Sequence, residues 1–196
     1  MIVLASTSPT RRTLLRRAGL HFKTARPPVD EAAITAKLRS SGASAREVAL
    51  KLAETKAMSV GRVLPGAFVI GADQMLECDG DWFTKPTDAK IAKEQLRSLR
   101  GRTHTLVTAV ALTNGGNMLW SHAERADMTM RPFTDGFLDS YLESLTEDTL
   151  TSVGGYQLEG LGVQLFDDIK GDYFSILGLP LLPLLAALRQ AGALTA

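Results

Sequence analysis

Cysteine is nearly absent from this chain: Cys78 is the single one among 196 residues. Disulfide frameworks and cysteine-rich zinc sites are thereby excluded, and a reducing compartment fits. An excess of one charge is missing too, since 22 Lys and Arg meet 21 Asp and Glu for a formal net charge of +1. That balance argues against a nucleic-acid-coating surface, so any anion site must be local. Long apolar runs are also lacking. The longest, Ile176 to Leu188, contains Pro180 and Pro183 and is too short and too broken for a membrane span. No charged region precedes a long apolar stretch after Met1, as a signal peptide requires, so the expected location is the cytoplasm. Two catalytic signatures are absent as well. The chain has no G-x-x-x-x-G-K-[ST] phosphate loop and no G-x-S-x-G nucleophile elbow. His21, His104 and His122 lack metal-ligand spacing and read as strand residues.

What is present suits a globular enzyme: 45% apolar and 22% charged residues, in a length that fits one domain or one domain with two lobes. The first residues carry the clearest pattern. Ile2-Val3-Leu4-Ala5 reads as a buried strand feeding a helix, with Ser8 as N-cap, Pro9 at the first helical position, Leu14, Leu15 and Ala18 facing inward, and Gly19 as the stop. A strand-to-helix turn of this kind presents backbone N–H groups at a positive helix end, which favours a phosphate. Arg11 and Arg12 fall in the same turn, and an arginine fork can hold phosphate oxygens bidentately. A capped helix with solvated arginines is the plainer alternative.

Further along, His21 to Ala25 predicts a short strand ending at Pro27-Pro28, followed by Val29-Asp30-Glu31 and a polar, Ser- and Ala-rich segment to Ser44. Ala45 to Val60 has helical spacing, with Val48, Ala49, Leu52, Ala53 and Lys56 along one side. Ala67 to Ala72 reads as a central strand opening at Asp73, and Asp79-Gly80 as a hairpin turn. Asp88 can cap a helix to about Leu99. Strands are expected from Thr103 to Leu112 and Met118 to Met130, and a helix from about Thr134 to Leu145. The glycine-rich stretch Gly154 to Gly162 resembles a binding loop. A hairpin of Val163–Phe166 with Tyr173–Ile176 and a helix from about Leu181 to Ala191 complete the reading. Hairpins and crossovers together imply a three-layer α/β fold with a mixed central sheet.

Asp73 is the strongest single candidate for chemistry, because ligands of open α/β sheets lie beyond the carboxyl ends of strands. A carboxylate there can bind magnesium or activate water; a turn aspartate capping the next residues is the alternative. Glu31 could be a second metal-directed carboxylate or a solvated loop acid. Lys56 and Lys85, taken singly, are equally surface lysines that snorkel. Together, two lysines, an arginine and two acids would suit a triphosphate–metal site.

These pieces occur in an order that resembles one family. Leu4 to Leu15, Gly71-Ala72-Asp73, Lys85-Pro86, Gly101-Arg102-Thr103-His104 and Gly171-Asp172-Tyr173 through Gly178-Leu179-Pro180 are similar to the motifs of the Maf nucleoside triphosphate pyrophosphatases, over nearly the whole chain. The resemblance implies an elongated fold like that of inosine triphosphate pyrophosphatase, a single domain over residues 1–196 with two lobes around a central cleft. It implies a house-cleaning hydrolysis of a nucleoside triphosphate to monophosphate and pyrophosphate with a divalent metal, Mg2+ or Mn2+, and is compatible with a homodimer. No nucleic-acid polymer or membrane is expected as a partner. Carried over by position, Asp73 is the proton acceptor, and Ser8, Arg11, Lys56 and Lys85 contact phosphates. Glu31 and Asp73 are the metal-directed acids, and Thr10, Gln74 and Glu159 sit where the family divides by base preference. Gln74 and Glu159 match the branch acting on 7-methyl-GTP, whereas Thr10 departs from the tryptophan often found there. The alternatives are a pyrimidine triphosphate pyrophosphatase acting on dTTP, UTP or CTP, or a non-catalytic nucleotide-binding regulator of cell division. Sites lining an open cleft should tolerate substitution with little change in stability.

Overall fold

The computed structural model describes residues 1–145 and 152–195. Seven strands form one mixed sheet in the order β2-β1-β3-β5-β6-β7, with β4 paired to β3. The chain divides into two compact units, and β3 (Phe68–Cys78), β5 (Thr103–Asn114) and β6 (Asn117–Met130) contribute residues to both.

The first unit comprises residues 1–74, 108–124 and 172–196. Its apolar N-terminal run forms β1 (Ile2–Ala5), parallel to β2 (Phe22–Thr24) on one side and to β3 on the other, with Ala5 opposite Gly71. Between β1 and β2 runs α1 (Pro9–Arg17), which Ser8 caps as expected by accepting from the Arg11 amide. Leu14 and Leu15 are buried against Leu4, Ile70, Leu112, Leu179 and Leu188. Ala18, expected inward, is an exposed C-cap, because the helix ends one residue before it.

The polar segment after Pro28 contains a helix that the sequence pattern does not reveal, α2 (Glu31–Ser40). Asp30 caps it by accepting from the Ala33 amide at 2.9 Å, and no α2 residue is buried, so no apolar period marks it. By contrast α3 (Ala45–Gly61) opens with a full capping box between Ser44 and Glu47 and buries the expected stripe from Val48 through Lys56.

The second unit comprises residues 75–107 and 125–171. Asp79 and Gly80, both at positive φ (50° and 87°), turn β3 into β4 (Asp81–Phe83), as a two-residue hairpin demands. Asp88 caps α4 (Ala89–Leu99), and Thr134 caps α5 (Asp135–Glu143). The glycine-rich stretch begins with a buried 3-10 turn at Val153–Gly155. A Cβ on Gly154 would lie 2.7 Å from both the Leu76 and Tyr156 side chains, so close packing accounts for that glycine. The expected hairpin after it forms differently. Val163 lies in a second 3-10 turn, Leu161–Leu165, and β7 (Phe166–Lys170) pairs antiparallel with β6. Beyond it, in the first unit, Tyr173–Ile176 is a helical turn, α6, because Asp172 accepts from the Ser175 amide at 2.7 Å. The last helix, α7 (Leu181–Gln190), follows. Among the described residues, no helix is long and apolar enough to cross a membrane.

Within the second unit His104 is 1% exposed on β5, with its Nε2 2.6 Å from the Tyr156 hydroxyl. Its Nδ1 has no hydrogen-bond partner among the described residues, and burial pushes its pKa from 6.5 down to about 4. The fold therefore favours the neutral ring. That contribution is complete above the ordinary histidine value and is lost as pH falls through about 4. A shift of this size corresponds to about 3 kcal/mol. Urea unfolding at pH 7 and pH 4.5 should show wild-type stability falling by an amount of that order beyond what a His104→Gln variant loses. Equal acid sensitivity in both proteins would rule this histidine out as the cause.

Candidate active site

Asp73 lies inside β3, which runs on to Cys78, rather than at a strand end. It is therefore neither a turn residue nor a helix cap, and only 6% of it is exposed. Its environment follows from Gly71, two residues earlier on the same face of the strand. A Cβ at Gly71 would stand 2.1 Å from the Ala53 carbonyl oxygen and 2.7 Å from the Ala57 amide nitrogen. Glycine thus lets α3 lie directly on β3, and that approach delivers Lys56 to Asp73.

The lysine is not a surface residue. Lys56 is 5% exposed, and its Nζ donates to Asp73 Oδ1 at 2.7 Å and lies 2.9 Å from Glu31 Oε2. Glu31, the first residue of α2, keeps half of its side chain exposed. One ammonium thus bridges two carboxylates carried by different elements. Burial raises the Asp73 pKa above the usual carboxylate value, working against Lys56 and Arg11, whose charges lower it. Burial also lowers the Arg11 pKa, while Asp73 and Glu31 act in the opposite sense. Arg11 donates from Nε to the Gly178 carbonyl at 2.7 Å and from Nη1 to Ser6 Oγ at 3.4 Å, at the N-terminal end of α1.

The first unit thus gathers Ser8, Arg11, Glu31, Lys56 and Asp73 around the end of α1, with Thr10 half-buried on the same helix. Lys85 and Glu159 belong to the second unit, and both are exposed. Sequence reasoning gave no role to Thr108 and Ser175, which bond the Gln74 side chain, or to Glu124, which accepts from the Ser175 hydroxyl; nothing in the local pattern marks them, because long-range hydrogen bonds bring them together.

Two carboxylates facing one cation form a hard oxygen pair, which suits Mg2+ completing its shell with water and phosphate oxygens. The convergence of Asp73 and Glu31 on a single ammonium fits such a group. Among the described residues, no group of three or more His, Cys, Asp or Glu is arranged to hold a metal.

Residues 1–191 match the Maf-like protein family. The chain belongs to that family. Its Maf relatives include the 7-methyl-GTP pyrophosphatase of Rhizobium meliloti (strain 1021), 50% identical over 196 residues, which covers 100% of this chain and 98% of the relative. The 7-methyl-GTP pyrophosphatase of Brucella abortus biovar 1 is 50% identical over 189 residues, 96% of this chain and 95% of that one. The nucleoside triphosphate pyrophosphatase of Granulibacter bethesdensis is 49% identical over 194 residues, covering 99% and 98%. A solved nucleoside-triphosphatase (dITP/XTP pyrophosphatase) of Mycobacterium abscessus aligns over 99% of this chain and 97% of its own, at 16% identity and a TM-score of 0.44.

Proposed function

We propose that this Maf protein is a hydrolase that cleaves a modified nucleoside triphosphate, with 7-methyl-GTP as its preferred substrate, to the monophosphate and pyrophosphate. The observation that carries the reading is the desolvated Asp73 carboxylate, held by Lys56 and within electrostatic reach of Arg11. A carboxylate whose pKa burial raises is a competent proton acceptor, and Arg11 with the α1 N-terminus attracts the phosphates. Relatives at about half identity that bear pyrophosphatase names support it over full length.

In this reaction Asp73 takes a proton from a water aligned on the α-phosphorus. The new P–O bond forms as the bond to the α,β-bridging oxygen breaks, and pyrophosphate leaves with that electron pair. Glu31 and Asp73 would hold a divalent ion, which offsets charge on the phosphate oxygens when bound. Arg11, Ser8 and the positive N-terminal end of α1 bind the phosphate chain. Lys85 joins them in this proposal through the family motif alone.

Base preference is assigned to Glu159. A guanine edge offers adjacent N1–H and N2–H donors, which one carboxylate accepts together. Uracil and thymine present acceptors on both sides of one donor, and those repel it. A 7-methylated ring also carries positive charge. Thr10 supplies no aromatic face for that cation, so discrimination against unmethylated guanine is expected to be modest. With Mg2+ and a panel of triphosphates, 7-methyl-GTP should give the fastest release of pyrophosphate, with CTP and UTP secondary and dTTP poor. Glu159→Gln should lower the 7-methyl-GTP preference over pyrimidines by roughly tenfold. Release of inorganic phosphate alone, or no turnover, would refute the activity; dTTP ranked first, or an unchanged ranking in the variant, would refute only the base assignment.

A further inference from the structure

Gln74 adjoins Asp73 in sequence, yet consecutive strand side chains face opposite ways. The Gln74 amide is turned to α6. Its Nε2 donates to the carbonyls of Ser175 at 3.1 Å and Ile176 at 3.0 Å, and to Thr108 Oγ1 at 2.9 Å. Thr108 gives its own hydroxyl proton to the Ser175 carbonyl at 2.8 Å, so it can only accept from Gln74, which fixes the amide's orientation. Ser175 and Thr108 are 2% and 1% exposed, and the Ser175 hydroxyl donates to Glu124.

This cluster continues to Arg11. The Gly178 amide donates to the same Ser175 carbonyl at 2.9 Å, and the Gly178 carbonyl receives Arg11 Nε at 2.7 Å. Gly178 has a φ of 100°, a backbone turn that suits glycine and aims this carbonyl. An unbroken series of hydrogen bonds therefore links Gln74 and Thr108 to the guanidinium. Gln74 commits its amide protons to protein acceptors.

We infer that Gln74 and Thr108 are positioning residues that fix the Gly178 carbonyl and, through it, Arg11, so that both support affinity for the phosphate chain. The inference deepens the proposed function and rests on its assignment of Arg11 to phosphate. Pyrophosphate, which has no base, is the discriminating probe, with its Kd measured by calorimetry in the presence of Mg2+. Gln74→Leu should weaken it about tenfold, the effect of a lost buried hydrogen-bond set. Arg11→Ala should weaken it at least as much, and the double variant should bind no worse than Arg11→Ala alone, since both changes disable one contact. In hydrolysis of a triphosphate the loss should appear in KM rather than in kcat.

Thr108→Val gives a second route should Gln74→Leu fail to fold. It should weaken pyrophosphate in the same direction, and Thr108→Ser should restore it. Wild-type pyrophosphate affinity in Gln74→Leu would overturn the inference, as would fully additive losses in the double variant. A wild-type protein that binds pyrophosphate but hydrolyses no triphosphate would sink the proposed activity while the binding comparison still decides the positioning role.

Discussion

Asparagine in place of Asp73 is expected to cut turnover by roughly 100-fold or more, the usual contribution of a positioned acid–base group. The exchange keeps size and one acceptor oxygen for Lys56 Nζ, which lies 2.7 Å from Oδ1, but removes the group that can take a proton. Stability should fall as well. An open-cleft residue would tolerate the change, but Asp73 is buried inside β3 beside a buried ammonium. Loss of the charge leaves Lys56 with Glu31 alone, half exposed at the start of α2, and about 1–3 kcal/mol is the scale for such a loss. Pyrophosphate release and thermal unfolding measured on the same preparation separate the two effects. A folded Asp73→Asn protein with near-normal turnover would remove Asp73 from the proton-acceptor role.

The fold was legible in the sequence where local chemistry and burial agreed. Ser8 and Asp88 cap the helices expected of them, and Asp79-Gly80 forms the hairpin turn its residues demand. The misreadings have separate causes. Helix α2 buries nothing, so no apolar period exists to be read, and Tyr173–Ile176 is short enough for the Asp172 cap to overrule its strand-like composition. Asp73 was identifiable as a candidate, but the end of its strand was not, because Gln74 through Cys78 mix polar and apolar residues while remaining paired. Lys56 was placed on the inward side of α3 by periodicity alone. Its burial between two carboxylates depends on the Gly71 contact with Ala53 and Ala57, which no local pattern discloses.

Removal of that lysine should be the most revealing change in the site. Lys56→Met keeps the length and apolar stem that pack along α3 but leaves Asp73 and Glu31 without the ammonium that bridges them. Two effects on Asp73 then reinforce each other: burial and the Glu31 charge both raise its pKa, and the largest opposing charge has gone. The acid limb of kcat/KM, which in the wild type should already lie above the ordinary carboxylate range, is expected to move further toward alkaline pH. Stability follows the same titration. A carboxyl whose pKa is raised in the folded state favours folding below its unfolded value and loses that contribution as pH rises through the folded value. The variant should therefore lose less stability at acid pH than at pH 8, where an unpaired buried carboxylate costs about 3 kcal/mol. Thermal unfolding at both pH values, together with the pH–rate profile, tests the pair of effects. A pH-independent loss of stability with an unmoved acid limb would mean that Lys56 acts only as packing and does not hold the charge of Asp73.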